Sequence, residues 1–222
     1  MLFRSGKESV LPDFDVQCPL MSLPMAFKTK LDTIPPVKNL FQADAKTQAI
    51  WGGKVNQKIT HTKHKPNIGF VATGNMKHSN DLARSLTFEQ VVKFLPLEAN
   101  LFCLQKEFRP DNAKFLDNNQ HIHYFGKQLA DFADTAALIT HMDLVITVDT
   151  SVAHLAASMG KPTWILLPFS PDFRWLLNRS DSPWYPSAKL YRQTIIGDWD
   201  EVLGRVKVDL NEFLAQHAKA TV

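Results

Sequence analysis

The spacing of apolar positions divides the chain in two. From Lys65 onward, short apolar runs alternate with stretches of helical spacing. NIGFVAT (67–73), NLFCLQ (100–105), HIHYF (121–125), LVITV (144–148) and PTWILLP (162–168) have the length and near-continuous apolarity of strands buried on both faces. Between them TFEQVVKFL (87–95), RPDNAKFLDN (109–118), DTAALITHM (134–142) and TSVAHLAASMG (150–160) read as helices. AKLYRQ (188–193) adds an edge strand, and WDEVLGRVKVDLNEFLAQ (199–216) a long amphipathic closing helix. This alternation predicts an α/β domain: a Rossmann-like, doubly wound parallel sheet with helices on both faces. Residues 1–64 lack the rhythm. Prolines at 12, 19, 24, 35 and 36 break regular elements there. DFDVQC (13–18) is a candidate strand, and DAKTQAIWGGKV (44–55) a short helix ending near Gly52-Gly53. The expected division is an incomplete unit over 1–64 followed by a complete domain over 65–222.

In open α/β sheets ligands bind beyond the carboxyl ends of the strands, where helix N-termini converge. The strand exits are therefore where chemistry belongs. At the fourth exit, Asp149, Thr150 and Ser151 pass from strand to helix without a spacer. Thr150 or Ser151 is a natural N-cap, and the following N–H groups, with the helix dipole, favour an anion. His154 reaches the same mouth and can donate to a phosphate oxygen or a sugar hydroxyl. Equally, these residues only cap a helix and His154 makes a structural hydrogen bond. Gly160 supplies the helix stop. At the first exit, GNMKHSNDLARS, Gly74 and Asn75 permit a tight turn and Arg84 offers a charge-assisted contact to a pyrophosphate. A solvated loop with Arg84 paired to Asp81 fits as well. That loop is neither GxGxxG nor a P-loop, which disfavours a nicotinamide-dependent dehydrogenase.

Lys106 follows the second strand and can meet a phosphate, although a lone lysine there is most often surface charge. Asp134 is the expected N-cap after the third exit, with Asp131 a weaker ligand candidate. At the fifth exit Arg174, Trp175, Trp184 and Tyr185 either stack on a base or sugar or form a rigid packed loop.

Composition narrows the classes further. The 222 residues carry a formal charge of +3 with scattered Lys and Arg, so no nucleic-acid partner is expected. The two cysteines, Cys18 and Cys103, fit a reducing compartment. No run approaches the roughly 18 apolar residues of a membrane span, and MLFRSGKESV lacks a signal peptide's apolar region. A cytoplasmic location follows as the expectation. HTKH (61–64) and HIH (121–123) lack partners at ligand spacing, so no metal is expected. There is no GxSxG elbow.

DLVITVDTSVAHLAASMGKPTWILLP resembles the C-terminal domain of bacterial heptosyltransferase-like glycosyltransferases, in the subgroup found behind tetratricopeptide repeats. GNMKHSNDLARS, LFCLQKE, DFADTAALI and PFSPDFRWLLNRSDSPWYPSAKLYRQ followed by GDWDEV resemble the same subgroup in the same order. The resemblance runs from about residue 13 to the end and is strongest from Gly69 to Val202. It implies the C-terminal half of a GT-B architecture, with two Rossmann-like domains facing across a cleft. It also implies transfer of a glycosyl group from a nucleotide-diphosphate sugar to an unknown glycan or protein acceptor, without a cofactor or metal. Donor contacts would fall on Asp149, Thr150, Ser151 and His154, with Lys106, Gly74, Asn75 and Arg84 around them. FDVQCPLMSLPMAF resembles the end of the acceptor domain, and no residue matches the family's catalytic base. The alternative is a truncated, non-catalytic nucleotide-sugar-binding or protein-interaction remnant. A homodimer through exposed apolar surface and peripheral membrane association are further expectations.

Overall fold

The computed structural model describes residues 13, 15–37, 39–59, 65–108, 112, 115–116 and 118–220. Six strands form one sheet: β1 Asn67–Val71, β2 Asn100–Cys103, β3 Ile122–Tyr124, β4 Leu144–Val148, β5 Thr163–Leu167 and β6 Ala188–Arg192. Their order is β3-β2-β1-β4-β5-β6, and every pairing is parallel. This is the Rossmann-like order, with the crossover reversing between β1 and β4. Among the described residues the α-helices that run unbroken are α1 Leu23–Ala26, α2 Ala45–Asn56, α3 Asp81–Arg84, α4 Phe88–Phe94, α5 Phe132–Thr140, α6 Ser151–Ser158 and α7 Trp199–Ala220, and Asn112, Phe115 and Leu116 are also helical.

The pleat sorts each strand's side chains between two cores. Ile68 and Phe70, Leu101 and Cys103, and Leu144, Ile146 and Val148 face α4 and α7, where Phe88, Val91, Val202 and Val206 meet them. Val71, Phe102, Leu104 and Val145 face the other way, onto Trp51 and Val55 of α2, Leu138 of α5 and Ala156 of α6. Burial pushes the Cys103 thiol up to about 12, so it serves as a small apolar filler. The sheet is thus covered on both faces, as the unbroken apolar runs require.

Three local expectations need correction. The described residues of DFDVQC form no strand: they carry a bend at Asp15 and no regular element, and make no ladder. α2 runs through Gly52-Gly53 to Asn56 instead of stopping there. A Cβ on Gly52 would sit 2.8 Å from the His141 ring, so the glycine serves helix-to-helix approach and not termination. The indole of Trp51 donates to Asp134 at 3.0 Å, and His141 Nε2 lies 2.9 Å from the Gln48 carbonyl, which fixes α2 along α5. Asp134 is therefore occupied, and Asp131 is the N-cap of α5, accepting from Ala133 and Asp134 N–H at 2.8 and 3.1 Å. RPDNAKFLDN lies largely outside the described residues, as does HTKH.

Before α2 the chain is tied down at two points. Val37 N–H donates to the Trp184 carbonyl and Leu40 N–H to the Ser158 carbonyl, both at 2.8 Å. This strap lays Val37, Leu40 and Phe41 across α6. Upstream of it, the short turns from Leu20 to Thr33 bury no residue, and Val16, Met25 and Phe27 are among the large apolar side chains left exposed.

Candidate functional site

The fourth strand exit behaves unlike an ordinary helix start. Thr150 occupies the N-cap position in extended backbone, φ −136° and ψ 173°, but its side chain caps nothing. Its hydroxyl turns back to Thr147, with 3.2 Å between the two Oγ1 atoms, while buried Thr147 donates to the Val148 carbonyl at 2.8 Å. The first N–H groups of α6 are therefore left without a side-chain acceptor at the positive end of the helix. By contrast α4 begins with a complete capping box between Thr87 and Gln90.

That open start faces a cavity of about 440 Å³. Thr150, Ser151 and Val152 form one wall, Gly74 and Asn75 another, and Lys106 and Glu107 a third. Five of the eight expected donor residues thus share one space: Gly74, Asn75, Lys106, Thr150 and Ser151. Lys106 sits on the rim with Nζ donating to the Ala130 carbonyl at 2.6 Å. Asn75 accepts from Lys77 N–H at 2.9 Å, and Gly74 N–H donates to Ser85 Oγ at 3.0 Å.

Arg84 and Asp149 stand behind this space. The Arg84 side chain is 13% exposed, donates to the Asp149 carbonyl at 2.8 Å and lies 3.9 Å from Asp81. Its guanidinium covers Gly74 so closely that a Cβ there would be 2.5 Å from Nη2. Arg84 therefore joins the first exit to the fourth, and the ion pair with Asp81 accompanies that link. Gln105, which sequence reasoning passed over, joins the first exit to the second. Its buried Oε1 accepts from Ala72 and Thr73 N–H at 2.9 and 3.0 Å, and its Nε2 donates to Thr73 Oγ1 at 2.7 Å. The signal available was a polar residue closing an otherwise apolar run, NLFCLQ.

His154 lines a neighbouring cleft instead of the cavity. Its ring stacks on Trp175 with centroids 4.9 Å apart and planes 15° apart, and Nδ1 lies 3.1 Å from the Tyr185 hydroxyl. Burial, and then the charge of Arg174, lower its pKa below the ordinary 6.5, which keeps the imidazole neutral near pH 7. The cleft measures about 730 Å³, and Ser151 and Phe132 line both spaces.

The fifth exit is a packed loop. Trp175 is fully buried, Trp184 Nε1 donates to the Arg174 carbonyl at 3.1 Å, and Arg174 pairs with Asp172 at 2.7 Å. Leu176 is held at φ 53° while its carbonyl accepts from Arg192 at 2.7 Å; a left-handed leucine persists only where its surroundings enforce it. Among the described residues no three His, Cys, Asp or Glu side chains gather in a way that could hold a metal. Among them too, no helix is long and apolar enough to cross a membrane.

Residues 99–173 match the model of Glycosyltransferase family 9 (heptosyltransferase). That segment holds Lys106, Asp149, Thr150, Ser151 and His154. Protein FlbA of Caulobacter vibrioides is 36% identical over 86 residues, which cover 39% of this chain and 14% of that protein. The solved structure of ADP-heptose LPS heptosyltransferase II from E. coli superposes with a TM-score of 0.53 at 18% identity. The match covers 79% of this chain and 53% of that one, so the chain spans about half the length of the solved relative and a small part of FlbA. At that identity the structural likeness is one of fold.

Proposed function

We propose that the protein binds a nucleotide-diphosphate sugar at the start of α6 and transfers its glycosyl group to an acceptor, as a glycosyltransferase of GT-B type. The observation that carries this reading is the uncapped helix start opening onto the 440 Å³ cavity. An anion there completes the hydrogen bonding that Thr150 withholds. The family match across 99–173 supports the same chemistry. In this reading Ser151 and Val152 N–H groups receive the diphosphate, Lys106 meets its outer oxygens, and Gly74 and Asn75 shape the opposite wall. Arg84 and Asp149 hold the two exits together, and His154 stands along α6 in the neighbouring cleft. Charge building on the leaving diphosphate is met by the helix start and Lys106, with no metal or cofactor called upon. Residues 65–222 act as the donor-binding domain, with 1–64 as acceptor-side remainder and linker, in the cytoplasm.

Titration with ADP, UDP and GDP tests the reading: one of them should raise the melting temperature in proportion to the logarithm of its concentration. Ser151→Pro sharpens it. The first helical position tolerates proline, and the extended backbone of Thr150 is what a residue preceding proline requires. The variant loses one N–H, whose charge-assisted bond is worth about 1.5–3 kcal/mol. It should fold with stability changed by less than about 1 kcal/mol, yet bind the nucleotide roughly 10-fold more weakly. No shift with any of the three at millimolar concentration would overturn the reading.

A further inference from the structure

We infer that the 730 Å³ cleft beside the cavity seats the acceptor, an uncharged alcohol carried on an aryl or alkyl body. The inference rests on the donor reading above and names the other substrate. Three features of the cleft converge on it. The first is position. Ser151 and Phe132 line both spaces, and at 1.5 Å of rise per residue His154 stands about 4.5 Å along α6 from Ser151. A molecule lying in the cleft with its polar end at His154 meets whatever occupies the helix start.

The second is the character of the walls. Val37, Leu40 and Phe41 of the strap line the cleft with Ala136 of α5 and Leu155 of α6, an open, mainly apolar groove of the size that holds small ligands. Of the polar lining residues, Asp44 and Ser158 are already bonded, to Thr47 N–H and the Leu155 carbonyl, and the His154–Tyr185 pair offers a neutral imidazole that suits a hydroxyl. Because the strap is bonded to Ser158 and Trp184, the groove exists before any ligand arrives.

The third is charge. Among the described residues no Lys or Arg lines the cleft, and Asp44 is the one carboxylate there, already engaged as the α2 cap by Thr47 N–H at 2.9 Å. Among those residues a phosphorylated acceptor would find an acid and no cation.

The test uses the full chain with histidine ¹⁵N-labelled, and 2-naphthylmethanol as probe. The His154 ring signals, identified by their loss in His154→Gln, should shift saturably. Ala133→Trp places bulk in the cleft from an exposed position and leaves the sheet core alone. It should weaken the alcohol at least tenfold while the nucleotide-induced melting shift is retained. 2-Naphthylmethyl phosphate should bind at least tenfold more weakly than the alcohol. A saturating nucleoside diphosphate should change the alcohol's affinity less than twofold, since donor and acceptor must be held together. Absence of a saturable His154 shift while nucleotide still binds would overturn the cleft assignment alone. So would tighter binding of the phosphate, or mutual exclusion of alcohol and nucleotide. Loss of nucleotide binding altogether would remove the donor reading and the acceptor role with it.

Discussion

At the exit of β4 the first N–H groups of the next helix have no side-chain acceptor, while at the exits of β5 and β6 side chains take up backbone groups of the following loops. On the first side the α6 N–H groups and Lys106 face open space. On the second, Gln193 Oε1 accepts from Phe169 and Gly197 N–H at 3.1 and 3.2 Å, Arg192 takes two carbonyls, and Trp175 is sealed under the loop. Both sides use a glutamine after a strand, Gln105 and Gln193, to bind neighbouring exits together. What separates them is the fate of the next polar groups. One side is built for rigidity and the other on that rigidity for binding, which is the arrangement that lets a few open donors stay in register.

The sharpest way to break the contrast is Trp175→Ala. Removing a fully buried indole that also supports His154 should cost about 3–5 kcal/mol, read from the urea midpoint. Gly74→Ala comes next. The new methyl meets the Arg84 guanidinium, and the overpacking should cost about 1–3 kcal/mol. It should also weaken nucleotide binding, because the Asp149 link is strained. Lys106→Ala should leave stability within about 0.5 kcal/mol, as expected of an exposed side chain. Nucleotide affinity should fall several-fold, most at low salt.

The smallest effect is in pH. His154 has a folded pKa below its ordinary 6.5, so between the two values the unfolded chain binds more protons. Its contribution to stability is complete above about pH 6.5 and is lost as pH falls through the folded value. Burial lowers His123 in the same direction, so both residues share the loss. His154→Phe, which keeps the stacking on Trp175, should flatten part of that slope and leave the His123 part.

The sheet was legible because its signal is local. LVITV followed by DTSVAH carries strand, exit and helix in consecutive residues, and the open mouth stands where that pattern puts it. Side-chain partnerships across the fold were not legible. Asp131 and Asp134 are both suited to cap α5, and Asp134 is taken instead by the Ala130 N–H and by the Trp51 indole, 83 residues away. Gly52-Gly53 looks like a stop until His141 is placed against it. Arg84 pairs with Asp81 as local spacing suggests, but its contact with the Asp149 carbonyl needs the β1–β4 pairing to exist first. The aromatic loop after β5 offered two readings, and packing chose the rigid one.

The strap has a practical consequence for anyone shortening the chain. A cut ahead of Val37 keeps both of its anchors and the cleft roof, whereas a cut at the end of the irregular region would also discard α2. Trp51 and Val55 would then leave a hole beside Phe102 and Leu138, on the face that α5 and α6 would be left to cover alone. The smallest stable version of this molecule therefore begins well before its first strand.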